Sequence, residues 1–404
     1  MKIALINSVC YGSTGKITCG LGRISKSQGH QVRIFFGRGN GAADLDCMKI
    51  ESDLSVYAHV IKTRLLDRQG FGSRIATKRL VSELEAFRPD VIHLHNLHGY
   101  WLHLPTLFQY LKSCHKPVIW TLHDCWPFTG HCAYFDGVGC EKWKTQCGSC
   151  PQKGGYPQSL LLDQSQRNFL DKRKLFTGIE NLTIATPSSW LMALAKESFL
   201  GVGPTPPQFA VLPNGIDQTV FAPTESDIRA RYGLEGKTIL LGVANVWEPR
   251  KGLTTFFELR DRLDASYAIV LIGLNDKQRA NLPKGILGLP RTDGPIELAA
   301  WYTAADVFVN PTFEENFPTT HLEALSCGAP VVTYNAGGSG EMLNKACGIA
   351  VPVGDIQGLL EGIFQAKNFL REDCLAQAAH YGEQARLGDY VELYQRLHLD
   401  KSAT

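Results

Sequence analysis

The sequence predicts an α/β protein of two domains, each with a parallel sheet covered by helices. Three observations lead to this prediction. The chain has 404 residues, more than one hydrophobic core usually serves. Short apolar runs alternate with helical stretches in both halves of the chain. Between the two series lies Pro-Asn-Gly-Ile-Asp at 213–217, whose residue types favour a turn.

The predicted strands follow one another at spacings that leave room for a helix after each of them. In the first half they are Ile3–Ile6, Val32–Phe36, Val91–Leu94, Val118–Leu122, Leu182–Ala185 and Phe209–Leu212. In the second half they are Thr238–Ala244, Tyr267–Gly273, Gly285–Leu289, Val307–Val309 and Val331–Thr333, with a last segment at 353–355 closing the sheet. We place the domain boundary near Gly215, giving domains 1–215 and 216–380. Residues 381–404 then form a C-terminal helix that returns to the first domain.

Composition and charge exclude several classes of function. Apolar residues make up 44% of the chain and charged residues 20%, which is ordinary for a soluble α/β protein. The formal net charge is +2 and neither half is strongly basic, so we expect no nucleic-acid partner. No run approaches about 18 apolar residues, the length of a membrane span. Residues 1–7 resemble a first strand rather than a signal peptide, so we expect a cytoplasmic protein.

Residues 310–332 are the centre of the functional argument. An apolar strand leads into a turn that carries Glu315, and a helix then begins at Pro-Thr-Thr with a cap expected from Thr319 or Thr320. Such a helix N-terminus at the carboxyl edge of a sheet can hold a phosphate ester. Glu315 and Glu323 can accept hydrogen bonds from sugar hydroxyls. The alternative is a solvated acidic turn before an ordinary helix.

The spacing Glu315-x7-Glu323, followed by Ala-Leu-Ser-Cys-Gly-Ala-Pro-Val-Val, resembles the glutamate-pair motif of the family-four retaining glycosyltransferases of the GT-B fold. The segment 213–217 and Lys251-Gly252 resemble two further motifs of that family. The resemblance covers nearly the whole chain and implies two Rossmann-like domains facing a cleft, with the N-terminal domain on the acceptor side. It also implies transfer of a hexose from a nucleotide-diphosphate sugar to a hydroxyl of a glycan, with retention of anomeric configuration.

The resemblance assigns roles to residues of the second domain. Lys251 contacts the donor diphosphate, Glu315 the sugar hydroxyls and Glu323 the ribose. The arginine that relatives place five or six residues before the lysine falls on Asn245 or Val246 here, and Arg250 is its candidate substitute. The further substrate-binding candidates are Phe317, Thr319 and Thr320.

In the first domain the resemblance points to three residues. Gly15, in the turn after the first strand, approaches the donor diphosphate, or is a plain helix-start glycine. His123 and Asp124 follow a predicted strand and line the active site beside the donor sugar. A histidine at a strand end is otherwise a satisfied structural residue.

A cysteine-rich insertion spans residues 125–152. Cys147-Gly-Ser-Cys150 is a Cys-x2-Cys knuckle, preceded by Cys132 and Cys140. In a reducing cytoplasm, four thiolates suit a closed structural zinc site with these cysteines as ligands. Packed free thiols are the alternative. We expect no catalytic metal, because no Asp-x-Asp metal grip is evident in the sequence.

Residues 55–80 contain six Lys and Arg side chains against one acid, Asp67, interleaved with apolar residues. The simpler interpretation is a solvated surface helix and loop. The alternative is a surface for anionic lipid, or for an acceptor carrying a lipid diphosphate, on the inner face of the cytoplasmic membrane. Many relatives act on lipid-linked acceptors, which favours the alternative.

By resemblance, the setting is capsule, exopolysaccharide or lipopolysaccharide synthesis. Two other functions stay open: a GT-B sugar-nucleotide epimerase, which consumes donor without an acceptor, and a non-catalytic carbohydrate-binding assembly protein. A nucleotide-dependent dehydrogenase is disfavoured, because the first strand is not followed by Gly-x-Gly-x-x-Gly.

Overall fold

The computed structural model describes residues 1–203 and 205–402, and the chain divides into two compact units. The first unit comprises Met1–Pro213 and the C-terminal stretch that begins at Leu387. The second comprises Asn214–Arg386. Each unit contains one parallel α/β sheet, which confirms the predicted fold class.

The first unit has a seven-stranded sheet in the order β3-β2-β1-β4-β5-β6-β7. Its strands are β1 Lys2–Val9, β2 Gln31–Arg38, β3 Cys47–Lys49, β4 Val91–Leu94, β5 Val118–Thr121, β6 Leu182–Thr186 and β7 Gln208–Val211. Its helices are α1 Gly12–Ser27, α2 Asp53–Leu66, α3 Arg74–Phe87, α4 Leu104–Ser113, α5 Ser165–Phe176 and α6 Ser189–Glu197.

The second unit has a six-stranded sheet in the order β10-β9-β8-β11-β12-β13. Its strands are β8 Thr238–Val243, β9 Tyr267–Ile272, β10 Ile286–Leu289, β11 Val307–Asn310, β12 Val331–Tyr334 and β13 Gly348–Val351. Its helices are α7 Ile228–Arg231, α8 Leu253–Arg262, α9 Asp276–Ala280, α10 Pro295–Ala304, α11 Thr319–Ser326, α12 Ile356–Ala366 and α13 Arg371–Ala379, and α14 Glu383–Ser402 continues into the first unit.

Both faces of each sheet are covered, as a doubly wound topology requires. Along β1, Ala4 and Ile6 belong to one apolar core and Ile3 and Leu5 to the core on the opposite face. This is the period-two alternation of a strand buried on both sides. Helices supply the cover, so apolar runs without polar interruption are stable here as strands.

The C-terminal helix is held to the first sheet by buried tyrosines. Tyr390 and Tyr394 lie in the core that also contains Ile3 of β1. The Tyr394 hydroxyl lies 2.6 Å from Nδ1 of His93 on β4. No helix of the described residues has both the length and the apolar character needed to cross a bilayer.

Two short edge strands differ from the sequence prediction. β3 was not predicted, since it has only three residues and none of them is fully buried. The expected closing strand at 353–355 is wrong. Gly354 adopts φ +82° in a turn, and Asp355 caps α12 through its carboxylate. The sheet closes instead with β13. The apolar run of this strand is short and begins with a glycine, so the sequence did not predict it.

Candidate active site

The second unit brings Lys251 and Glu315 into direct contact. Lys251 ends a short 3-10 turn after β8, and Glu315 lies in the turn after β11. Because β8 and β11 are neighbouring parallel strands, both turns lie at the same carboxyl edge, where the strand order reverses. Nζ of Lys251 is 2.6 Å from Oε2 of Glu315, and the side chains are 20% and 15% exposed.

Backbone contacts fix these two turns against each other. The Arg250 carbonyl accepts a hydrogen bond from the Phe313 N–H at 2.8 Å and from the Thr312 hydroxyl at 3.2 Å. Gly252 adopts φ +71°, and a Cβ added to it would lie 2.1 Å from the Pro311 carbonyl oxygen. Only glycine therefore allows this approach.

The local charges keep Glu315 ionised. Burial opposes its ionisation, but the charge and hydrogen bond of Lys251, the nearby Arg250 and the Asn316 N–H outweigh that effect and lower the pKa of Glu315. The site thus presents a cation and an anion side by side at the sheet edge. Such a pair can bind a phosphate and a sugar hydroxyl together.

The Arg250 guanidinium contacts other groups of the same two turns. Its Nε lies 2.9 Å from Oε2 of Glu248, and its Nη1 donates to the Glu314 carbonyl at 3.2 Å. The arginine thus braces the loop that carries the glutamates. A contact with the donor diphosphate stays a prediction.

Helix α11 begins as predicted but without the predicted cap. Pro318 occupies the N-cap position, and no side chain caps the helix. Thr319 and Thr320 are already its first two helical residues, so neither hydroxyl can serve as the N-cap, and that expectation is wrong. Both threonines are half-buried, and their role in substrate binding stays a prediction.

Phe317 and Glu323 occupy different environments. Phe317 is 6% exposed and belongs to the core, with its ring 6.0 Å from that of Tyr381. Glu323 accepts a hydrogen bond from the Tyr302 hydroxyl at 2.9 Å. Burial raises the pKa of Tyr302 well above its ordinary value, so this phenol remains a donor. The predicted contacts of Phe317 and Glu323 with substrate stay predictions.

His321 is a structural residue of the motif that the sequence analysis missed. It is fully buried, with Nε2 2.8 Å from the Asn310 amide nitrogen and Nδ1 3.2 Å from the Ser339 carbonyl. Burial lowers its pKa to about 4, so it is neutral near pH 7. Its place between Thr320 and an apolar position gave no sign of this role.

In the first unit Gly15 lies in the first turn of α1. A Cβ added there would come 2.5 Å from the backbone carbon of Cys10. The glycine therefore lets α1 close onto the end of β1. This contact is sufficient reason for a glycine, and the approach of Gly15 to a diphosphate stays a prediction.

His123 follows β5 and stacks on His95, which follows β4. Nε2 of His123 is 3.2 Å from Nδ1 of His95, and the rings are 5.5 Å apart. Burial lowers the pKa of His123 to about 4 and that of His95 well below its ordinary value, so both are neutral near pH 7. Nε2 of His95 is buried without a hydrogen-bond partner among the described residues.

Asp124 belongs to a hydrogen-bonded chain that the sequence did not reveal. Its Oδ2 is 2.9 Å from Nε2 of His98, and Nδ1 of His98 is 2.9 Å from the Tyr156 hydroxyl. Burial opposes ionisation of Asp124, but the charge and hydrogen bond of His98 and the Trp126 N–H lower its pKa overall. His98 and Tyr156 stood in no recognisable motif, since 58 residues separate them.

The four predicted metal ligands Cys132, Cys140, Cys147 and Cys150 line a single cavity of about 10 Å³. The Gly130 N–H donates to Sγ of Cys147 at 3.2 Å. As placed, however, no three His, Cys, Asp or Glu side chains of the described residues form a group that could hold a metal ion. Zinc at these cysteines stays a prediction.

The expectation that the sequence carries no Asp-x-Asp spacing is wrong, because Asp44-Leu45-Asp46 has it. Oδ2 of Asp44 lies 2.7 Å from Nε of Arg23, and Oδ2 of Asp46 lies 2.8 Å from Nε of Arg33. These ion pairs hold the carboxylates on the surface of the first unit.

Comparison with known proteins gives one family match in each unit. Residues 20–146 match the family described as Glycosyltransferase Family 4. Residues 237–367 match the family described as Glycosyl transferases group 1, and this segment contains Lys251 and both predicted glutamates.

Full-length similarity is found both in sequence and in structure. The proposed colanic acid biosynthesis glycosyl transferase WcaC of Escherichia coli (strain K12) is 28% identical over 406 residues, which cover 96% of this chain and 97% of that protein. Sucrose-phosphate synthase from Thermosynechococcus elongatus superposes with a TM-score of 0.71 at 17% identity, covering 99% of each chain. Anabaena HepE in complex with UDP-glucose superposes with a TM-score of 0.65 at 15% identity, covering 100% of each chain. The likenesses in structure show the GT-B fold, and with the family matches they support a glycosyltransferase of the family-four type.

Proposed function

We propose that the protein transfers a hexose from a nucleotide-diphosphate sugar to a hydroxyl of a lipid-linked glycan, with retention of anomeric configuration. The setting is the synthesis of exopolysaccharide, capsule or lipopolysaccharide. The observation that carries the proposal is the ion pair of Lys251 and Glu315 at the point where the strand order of the second sheet reverses.

The chemistry follows from the charge that develops during transfer. As the bond between sugar and diphosphate breaks, negative charge grows on the diphosphate. A fixed ammonium at Lys251, aided by Arg250 and the N-terminal end of α11, stabilises that charge more in the transition state than in the ground state. Glu315 orients the sugar hydroxyls and Glu323 binds the ribose. A leaving phosphate oxygen takes the acceptor's proton, so the reaction requires no protein base.

Two similar proteins guide the choice of substrates. HepE is described in complex with UDP-glucose, and the name of WcaC refers to colanic acid biosynthesis. A UDP-sugar is therefore the first donor to test, with a glycan-lipid extract as the acceptor.

The decisive assay measures release of nucleoside diphosphate from a panel of UDP-, GDP- and ADP-sugars, with and without the acceptor extract. The proposal predicts acceptor-dependent release, and NMR of the product should show the donor's anomeric configuration. Donor consumption without acceptor and without glycosylated product would instead identify an epimerase. Binding of a nucleotide sugar with no release of diphosphate would identify a non-catalytic protein.

A further inference from the structure

The strand order of the first sheet reverses between β1 and β4, and Arg38 lies at this point. Strands β2 and β3 are on one side of β1, and β4 to β7 are on the other. Arg38 is the last residue of β2 and pairs in register with Val9, the last residue of β1. Open α/β sheets bind ligands in the crevice outside the carboxyl ends of the strands at such a reversal.

The Arg38 guanidinium reaches across the end of β1 to the loop after β4. A Cβ added to Gly99 would lie 3.4 Å from Nη2 of Arg38 and 3.2 Å from Cβ of Ser8. Gly99 adopts φ +107°, a conformation that favours glycine. Asn7 joins the two loops, since its Oδ1 accepts hydrogen bonds from the N–H groups of Ser8 at 2.9 Å and Asn96 at 3.2 Å. The crevice therefore holds a cation at a defined position.

This cation has no partner among the described residues. Its Nε is buried without a hydrogen bond, and none of the ion pairs of the described residues includes Arg38. Arg33, five residues earlier on the same strand, is by contrast 2.8 Å from a carboxylate oxygen of Asp46. A half-buried guanidinium without a partner can bind a carboxylate or a phosphate without first breaking an internal ion pair.

The carboxylates on neighbouring elements form no ion pair with Arg38. Glu51, two residues after β3, accepts the Ser52 N–H at 2.9 Å through Oε1, and its Oε2 is buried without a partner among the described residues. Asp124, after β5, lies 2.9 Å from Nε2 of His98. The aspartates of the Asp-x-Asp spacing are held by their own arginines. An anion that enters the crevice therefore meets an unpaired cation.

Aromatic side chains lie beside this cation. Burial raises the pKa of Tyr100 and of Tyr156, and the charge of Arg38 opposes both rises, so the guanidinium is near the two phenols. The rings of Tyr100 and Tyr156 are 6.2 Å apart, and Tyr156 is 46% exposed. Tyr11 covers Gly39, the residue after Arg38, because a Cβ added there would come 2.5 Å from its ring. Aromatic side chains beside a few fixed polar groups are the usual lining of a small-molecule site, and they suit a saccharide ring better than an isolated ion.

We propose that Arg38 binds an acid group of the acceptor saccharide, so that the acceptor is an acidic sugar that carries a carboxylate or a phosphate. The donor's diphosphate is assigned to Lys251 in the second unit, so the anion at Arg38 is a different one. Two parallel hydrogen bonds from the guanidinium would orient the sugar ring as well as hold it. The inference rests on the proposed function, because it names the chemical class of the acceptor in that reaction.

The test is NMR titration of the purified protein with three probes: methyl glucuronide, glucose 6-phosphate and the neutral methyl glucoside. Wild type should bind one or both acidic probes at least ~10-fold more tightly than methyl glucoside. Arg38→Gln should lose this preference, and Arg38→Lys should keep only part of it, because an ammonium lacks the planar fork. Arg79→Gln, at an exposed arginine of α3 in the same unit, should retain it. Unfolding midpoints equal to wild type show that each variant is folded.

The two acidic probes separate the two sources of the anion. Tighter binding of methyl glucuronide would assign a carboxylate to the acceptor, and tighter binding of glucose 6-phosphate would assign a phosphate. Equal affinity of wild type for acidic and neutral probes, including no detectable binding of any of them, would overturn the proposal. So would a preference for the acidic probes that survives in Arg38→Gln.

Two further measurements separate this inference from the donor site and from the proposed function. UDP is titrated into the same variants, and a loss of UDP affinity in Arg38→Gln would assign the guanidinium to the donor's diphosphate and overturn the proposal. Acceptor-dependent release of nucleoside diphosphate is measured on the same samples. If transfer occurs without the preference for acidic probes, this inference falls and the proposed function stands; a preference without transfer separates them the other way.

Discussion

The two units place different chemistry at the carboxyl edges of their sheets. In the second unit, Lys251 and Glu315 lie 2.6 Å apart, and the lysine lowers the pKa of the partly buried carboxylate. In the first, His95 and His123 stack on each other, and burial keeps both imidazoles neutral. Burial thus removes charge where no counter-charge is supplied and permits it where one is. The second edge therefore carries a charged pair, and the histidine stack at the first carries none.

The largest expected effect comes from removing the charged pair. Lys251→Ala and Glu315→Ala should each lower turnover by about a hundredfold, the scale of losing one transition-state contact. Steady-state release of nucleoside diphosphate measures this, with Lys284→Ala as the exposed-lysine control. Near-normal turnover in a folded Lys251→Ala protein would remove the lysine from the site.

The next effect tests the backbone that holds the pair together. Gly252→Ala should lower turnover by ~10-fold or more, because its Cβ would meet the Pro311 carbonyl at 2.1 Å and displace the lysine turn. Gly354→Ala is the matched control: its φ is also positive, at +82°, but nothing lies within 4 Å of the added Cβ. Both variants should lose stability of about 1 kcal/mol from the positive φ. Equal turnover in the two would show that the close approach does not matter.

The neutral histidines predict an acid-sensitive first unit. The folded-state pKa of His95 lies below its ordinary value of 6.5, so the unfolded chain binds more protons once the pH falls below about that value. The free energy of unfolding should therefore decline as the pH drops through this window. His95→Gln should make the decline shallower in urea titrations at pH 7.5 and 5.0. His115→Gln, whose side chain is 69% exposed, should leave the slope unchanged; an equal change in both variants would contradict the account.

The cysteines should affect turnover least, because the zinc site predicted for them is structural. Lys172 is 1% exposed near the thiol cavity, donating to the Trp126 and Thr129 carbonyls, and it forms no ion pair among the described residues. Burial lowers the pKa of Lys172 to about 7. A zinc tetrathiolate would supply the counter-charge that keeps this amine ionised. Purified protein should then contain about one zinc per chain, and Cys147→Ser should lose it while Cys114→Ser keeps it. Less than about half an equivalent in wild type would count against the site.

The sequence predicted the fold well because its strongest signals are local. Apolar runs and the turn at 213–217 depend on neighbouring residues alone, and both sheets follow from them. The contact of Lys251 with Glu315 joins residues 64 positions apart. The family resemblance assigned both residues to one site, but it did not predict their ion pair. Two further features arise from tertiary packing and cannot be predicted from residue spacing. They are the hydrogen-bonded chain from Asp124 through His98 to Tyr156 and the hydrogen bonds that hold His321.

The most direct test of the central claim is calorimetric titration of UDP and of uridine into wild type and Lys251→Ala. The claim is that the Lys251 ammonium binds the donor's diphosphate. Lys251→Ala should then lose at least ~10-fold in affinity for UDP, with uridine affinity unchanged and Lys284→Ala like wild type. UDP affinity that survives in Lys251→Ala, or uridine affinity that falls equally, would contradict it.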